Sequence, residues 1–196
     1  TGRRGRNFSS VKWRGWIMHL HPNGTLTPYA SGFRMHNGIF LDSKNRLWAG
    51  DNQGDFRAAS PLYLVEKGNF YGHPSSLVWD ENFPADQDPL NLSQDKLDAM
   101  RTPAAILMPH KEINRSCAEP TEIPKGFGIY EGQLLVPDNA GQRITRIMLD
   151  EVNGHLQGSC THFINHPQDK SGLRSGNNRL EWSPDGKQLY VGQTTR

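Results

Sequence analysis

Short apolar runs, each closed by a polar turn, recur along this chain and predict β-strands. Leu47-Trp48-Ala49-Gly50 leads into Asp51-Asn52-Gln53-Gly54, and Leu134-Leu135-Val136-Pro137 leads into Asp138-Asn139-Ala140-Gly141. A weaker third copy is Leu189-Tyr190-Val191-Gly192-Gln193-Thr194. Another strand with its own turn precedes two of the copies. These are Asn37-Gly38-Ile39-Phe40-Leu41 before Ser43-Lys44-Asn45, and Asn178-Arg179-Leu180-Glu181-Trp182 before Ser183-Pro184-Asp185-Gly186. Pro sets φ and Gly tolerates positive φ, so Pro-Asp-Gly is a turn by mechanism. Further strands are expected over 61–65, 143–149 and 161–164, with Val152-Asn153-Gly154-His155 as another turn.

The unit therefore reads strand, tight turn, strand, polar loop, then further strands, which is the plan of a propeller blade. The fold class is all-β: a partial six-bladed β-propeller, an open arc of about three blades with one loop-rich insertion. Residues 1–33 are expected to form the outer half of a blade, with Gly15–Leu20 and Thr25–Ala30 as a hairpin. Residues 34–74 form the next blade, 75–120 the insertion, 121–167 a further blade and 168–196 the start of another. The insertion follows from spacing: the first two repeats are much further apart than the ~40–50 residues one blade uses. It contains one helix candidate, Ser93 to Met100, with Ser93 as N-cap. It serves either as a surface excursion or as a lid over a central site. A closed ring would need roughly 250 residues or more at this blade size, so the chain reads as a piece of a longer protein.

Composition agrees. Hydrophobic residues are 35% of the 196, with Gly 20 and Pro 13, which suits short strands and many turns rather than a helical bundle. Five Trp and five Tyr argue against disorder. The net charge of +2 is spread along the chain apart from Arg3, Arg4 and Arg6, so neither nucleic acid nor a membrane surface is implied as a partner. No apolar run reaches membrane-spanning length. Cys117 and Cys160 have no CxxC spacing, which excludes a structural zinc site; they read either as one disulfide or as two buried thiols. No Gly-x-Ser-x-Gly elbow, P-loop or Gly-x-Gly-x-x-Gly occurs.

In a propeller, inner strands converge on the axis and loops at one end form the site. The candidate polar groups are then Arg34, His36 and Asn37 before one inner strand, and Asp51, Gln53, Gly54 and Asp55 after its partner. Asp138 repeats the position of Asp51, while Arg174 and Arg179 flank the last inner strand. Carboxylates, amides, free carbonyls and guanidinium groups together suit a hard cation beside an anionic ligand. Gln53, Gly54, Asp55, Asp51 and Asp138 are the metal candidates, and Arg34, Asn37, Arg174 and Arg179 the cofactor candidates. His36 and His73 are the candidate bases. The same residues have plainer readings: Asp-Asn and Asn-Gly form turns, loop arginines form surface ion pairs, and Arg115 with Glu119 makes a local pair.

Three blocks carry a resemblance. Leu62-Tyr63-Leu64-Val65 through Gly68-Asn69-Phe70-Tyr71-Gly72-His73-Pro74, Leu134–Pro137 through Arg146-Ile147, and Ser183-Pro184-Asp185-Gly186 through Leu189-Tyr190-Val191 stand in the order seen in the glucose/sorbosone dehydrogenase family, which the chain resembles. Asp51-Asn52-Gln53-Gly54-Asp55 and Tyr71-Gly72-His73-Pro74 resemble most a branch of large planctomycete-type membrane-bound dehydrogenases, many with a haem-binding domain downstream. The resemblance implies oxidation of a sugar or alcohol hydroxyl with pyrroloquinoline quinone and calcium, in a periplasmic, secreted or externally membrane-anchored protein. It implies a small sugar or alcohol as substrate, and a downstream haem domain or cytochrome as electron acceptor. Arg34 matches a quinone-contacting Arg, and Gln53-Gly54-Asp55 the calcium-holding loop. Ala140 stands where the family has a quinone-binding Lys, and the family's base His would precede residue 1. The alternatives are a calcium-dependent gluconolactonase-type hydrolase, using Asn37 and Asp51, and a non-catalytic propeller that binds a glycan or a partner protein.

Overall fold

The computed structural model describes residues 9–54, 57–166 and 168–194. The chain is all-β, a partial propeller, and divides into two compact units: residues 1–35 with 65–103, and residues 36–64 with 104–196.

The first unit contains the hairpin of β1 (Trp16–Leu20) and β2 (Leu26–Ser31). Pro22-Asn23-Gly24 turns it, with Gly24 at φ 84° and Thr25 N–H donating to Asn23 Oδ1 at 3.0 Å. The block 68–74 lies along the end of β2: Ser31 N–H donates to the Asn69 carbonyl, Tyr71 N–H to that of Ser31, and His73 N–H to that of Gly32. Gly32, at φ 89°, has no room for a Cβ against the Tyr71 and Gly72 nitrogens. Phe33 stacks on Tyr71 with ring centroids 5.0 Å apart, and the Glu66 N–H donates to the Tyr71 hydroxyl. The remainder includes two 3-10 turns, Pro74–Trp79 and Pro89–Asn91, and helix α1 (Gln94–Met100), capped by Ser93 Oγ accepting from Lys96 N–H.

The second unit holds the repeats. One four-stranded sheet has the order β3 (Gly38–Leu41), β4 (Leu47–Gly50), β5 (Ala59–Val65) and β6 (Ile106–Pro109). The next runs β7 (Thr121–Glu122), β8 (Leu134–Pro137), β9 (Arg143–Val152) and β10 (His155–Asn165). A hairpin of β11 (Asn177–Trp182) and β12 (Leu189–Gln193) follows. The fourth strand of the first sheet thus comes from within 75–120: β6 pairs with β5, Ser60 opposite Met108. Asn153 at φ 52° and Gly154 at φ 77° form the tight turn between β9 and β10, and both strands run out to meet it.

Alternation along β8 explains the stacking of the sheets. Side chains on a strand point alternately to its two faces. Leu134 and Val136 join Trp48, Leu62, Ile106, Met108, Cys117 and Ile147 in one core, while Leu135 joins Ile123, Ile144, Leu173 and Leu180 in another. The second sheet is therefore buried on both faces, and its strand reads as a continuous apolar run. Cys117 and Cys160 are unbonded thiols, which removes the disulfide alternative.

Candidate functional site at the strand ends

Gly38 pairs with Gly50, so Asn37 enters β3 opposite Asp51 at the exit of β4. Cys117 bridges to Asp138 at the exit of β8, and Asn177 pairs with Gln193 at the end of β12. The repeat thus places the pairs Asn37/Asp51, Cys117/Asp138 and Asn177/Gln193 at matching positions of successive sheets.

These positions interlock. Asn177, fully buried, donates through Nδ2 to the carbonyls of Asp138 (3.3 Å) and Gly141 (3.0 Å). Its Oδ1 accepts from Gln193 Nε2 at 2.9 Å, which also donates to the Arg174 carbonyl at 2.9 Å. Asn37 Nδ2 donates to Asn178 Oδ1 at 2.9 Å. Arg179 donates through Nη1 to the carbonyls of Asn37 (3.3 Å) and Asn178 (2.8 Å), and its Nε lies 2.9 Å from Glu119 Oε2. Residues leading into β3, β7 and β11 therefore meet at one place. Glu119 pairs with Arg179, not with Arg115 as the local spacing suggested.

Asp138 is turned inward. Its Oδ2 accepts from Arg115 N–H at 3.0 Å, and its Oδ1 from Ser116 N–H at 3.0 Å and Ala140 N–H at 3.1 Å. A Cβ on Gly141 would collide with this carboxylate. Asp138 thereby ties the loop before β7 to the exit of β8. Cys117 lies between the two repeat aspartates: burial first, then the charges of Asp138 and Asp51, push its thiol well above the ordinary value. It stays protonated and is not a nucleophile.

His36 is shifted downward by burial, partly offset by the nearby Asp51 carboxylate. Neutral at physiological pH, it has the protonation state of a proton acceptor. The fold disfavours its charged form, so its stabilising contribution is complete above the ordinary value of 6.5 and declines as pH falls towards the lower folded value. His36→Gln is expected to flatten the fall in urea midpoint between about pH 7.5 and about pH 5.5; an unchanged slope would assign that fall to other groups.

The described side chains form no preformed cluster for calcium. Among the described residues, no group of three or more His, Cys, Asp or Glu is gathered. Both Asp138 oxygens are committed to backbone N–H groups, and the Gly54 carbonyl accepts from Arg57 N–H at 3.2 Å. Asp55 lies outside the described residues. Arg34 and His73 belong to the first unit, where His73 precedes the 3-10 turn and its carbonyl accepts from Ser76 Oγ.

A cleft of about 320 Å³ opens beside Ala140, walled by Arg115, Arg143, His166 and Ser175. Arg143 is held by two bonds from Nη1 to the Lys111 and Glu112 carbonyls. His166 takes the Gly172 N–H on Nδ1 at 3.1 Å, and its Nε2 lies 2.9 Å from Arg174 Nη1. Guanidinium groups in this number suit carboxylate recognition. Sequence reasoning missed Arg115, Arg143 and His166 as site residues, because they come from two loops and the start of β9 with no shared motif.

Stacked four-stranded sheets with polar strand ends meeting at one place define a propeller with a strand-end site. No family model and no curated protein matches the chain. Solved structures do match in fold. The quinone-bound aldose sugar dehydrogenase of Streptomyces coelicolor is 19% identical, with a TM-score of 0.56 over 90% of this chain and 45% of its own. The soluble aldose sugar dehydrogenase of Escherichia coli, in its apo form, is 17% identical, with a TM-score of 0.54 over 84% of this chain and 43% of its own. The quinone domain of Coprinopsis cinerea pyranose dehydrogenase, in its holo form, is 16% identical, with a TM-score of 0.56 over 86% of this chain and 53% of its own. The chain spans about half the length of these structures or less. Over the matched residues it shares their fold.

Proposed function

We propose that this chain is part of a propeller that oxidises the hydroxyl of a sugar or alcohol with pyrroloquinoline quinone. One observation carries the reading: the arginine-walled cleft lies beside Ala140, in the same unit as the convergence of Asn37, Glu119 and Arg179. Arg115 and Arg143 supply the cations that Ala140 does not, and would hold the quinone's carboxylates. Held there, the quinone would supply a hydride acceptor for the hydroxyl-bearing carbon. His36, neutral beside Asp51, takes the hydroxyl proton. No step is assigned to calcium. The reading extends to a protein outside the cytoplasm that passes electrons to a haem domain or cytochrome.

The inward-turned Asp138 favours a second reading, a propeller that binds without catalysis. Titration with the quinone, with and without calcium, separates the two. The expected result is a shift in quinone absorbance and dye-coupled aldose oxidation, with Arg115→Ala/Arg143→Ala weakening binding at least about tenfold. Absence of any quinone binding overturns the first reading. Lactone hydrolysis that requires a divalent cation would select the gluconolactonase type instead.

A further inference from the structure

The first unit contains a second cleft, of about 370 Å³, whose walls are aromatic. Trp13, Trp16, Tyr29 and Trp79 line it, each half-buried. Its rim is polar: Lys67, Asn69, Asp80, Glu81 and Asn82. We propose that this cleft binds a neutral pyranose oligosaccharide.

The indoles are fixed rather than mobile. Trp16 Nε1 donates to the Ser76 carbonyl at 2.9 Å, and Trp79 Nε1 to Ser9 Oγ at 3.0 Å. Trp13 packs edge-on to Trp16, with centroids 5.2 Å apart and planes at 75°. The Trp16 and Trp79 nitrogens are satisfied, so what these two rings present to the cleft is flat carbon surface. Trp13 also sits at φ 64°, a left-handed conformation that costs a bulky residue about 1–2 kcal/mol. Glycine, or asparagine, would relieve that strain if only a turn were needed there.

A pyranose has C–H faces and a belt of hydroxyls. It needs a flat aromatic wall for the first, and both donors and acceptors for the second. The cleft has both sets: the Asp80 and Glu81 carboxylates accept, while Lys67 donates, as do the remaining amide hydrogens of Asn69 and Asn82, whose first bonds go to Glu66 and Asp80. The Asp80 side chain is already oriented by Asn82, whose N–H reaches Oδ1 at 2.9 Å. Two carboxylates against one lysine disfavour uronic acids, sulfated sugars and nucleotides. The volume is at the small end for ligand pockets and accommodates roughly one or two sugar rings. These residues are separate from those of the strand-end site, so the inference stands without the quinone reading.

The test uses the whole chain without quinone. Tryptophan fluorescence and calorimetry are followed during titration with cellohexaose, xylohexaose and maltohexaose. Saturable binding of at least one is expected. Trp79→Ala and Asn82→Ala should each weaken it by about tenfold or more. Trp79→Ala disturbs packing as well, so wild-type protein is also treated with N-bromosuccinimide. The bound oligosaccharide should then protect tryptophan from oxidation. Both variants should still shift the quinone absorbance if the quinone reading holds, so failure of either proposal is seen separately. No saturable binding of any of the three sugars, or binding that survives both substitutions without protection of tryptophan, overturns the inference.

Discussion

Asp138→Ala should destabilise the second unit by about 3–5 kcal/mol, enough to leave much of the protein unfolded. The side chain is fully buried and accepts three backbone N–H groups. Truncation strands the Arg115 and Ala140 N–H groups, leaves Ser116 N–H only Asn114 Oδ1, and frees the loop before β7, on which Glu119 sits. Asp138→Asn should be milder, because one oxygen remains while the amide meets an N–H donor. Urea denaturation with calcium or with EDTA measures the effect and its origin. A loop anchor predicts the same loss in both conditions. A stability loss seen only with calcium present would instead restore Asp138 as a metal ligand.

Trp48→Ala should cost about 3–5 kcal/mol, the range for emptying a large buried aromatic site. Trp48 is wholly buried in the core shared by the first two sheets. It has a second role: its Nε1 donates to Asp42 Oδ2 at 2.9 Å. Burial alone would raise the Asp42 carboxyl, but bonds from Trp48, Arg46 and Lys44 bring it below its ordinary value. Its stabilising contribution is therefore present above the usual carboxylate range and lost as pH falls through the folded value. Trp48→Phe keeps most of the packing and removes the donor, for about 1–3 kcal/mol. Thermal melts at neutral and acid pH check both: the Phe variant should differ less from wild type in acid, where Asp42 is protonated in either protein. An equal gap at both pH values would mean that packing alone accounts for Trp48.

The propeller was legible because its signals are local. Asn153-Gly154 and Ser183-Pro184-Asp185-Gly186 dictate turns through their own backbone preferences, and the recurrence of Leu47–Gly54 in Leu134–Gly141 marks equivalent strands. The site was legible only in part. The pairing of Asn37 with Asn178 and the place of Arg179 depend on strands far apart in the chain. Asp51 and Asp138 share a sequence position, but a carboxylate at a strand end serves a metal or a backbone equally well on sequence grounds. The three loop N–H groups that take up Asp138 appear only once the loops are placed. The cationic cleft and the aromatic cleft were illegible for the same reason, since each gathers residues with no common spacing.

What the sequence determined alone was the inventory of strands and turns, because φ preferences and two-residue alternation act within a few residues of themselves. The tertiary structure decided which face of each strand meets which neighbour, that β6 leaves the 75–120 segment to complete a sheet, and that Glu119 takes Arg179 rather than Arg115 as its partner. Those outcomes depend on burying both sides of β8 at once, and on the distances that stacking then leaves between charged side chains. Neither quantity is encoded in any single stretch of the chain.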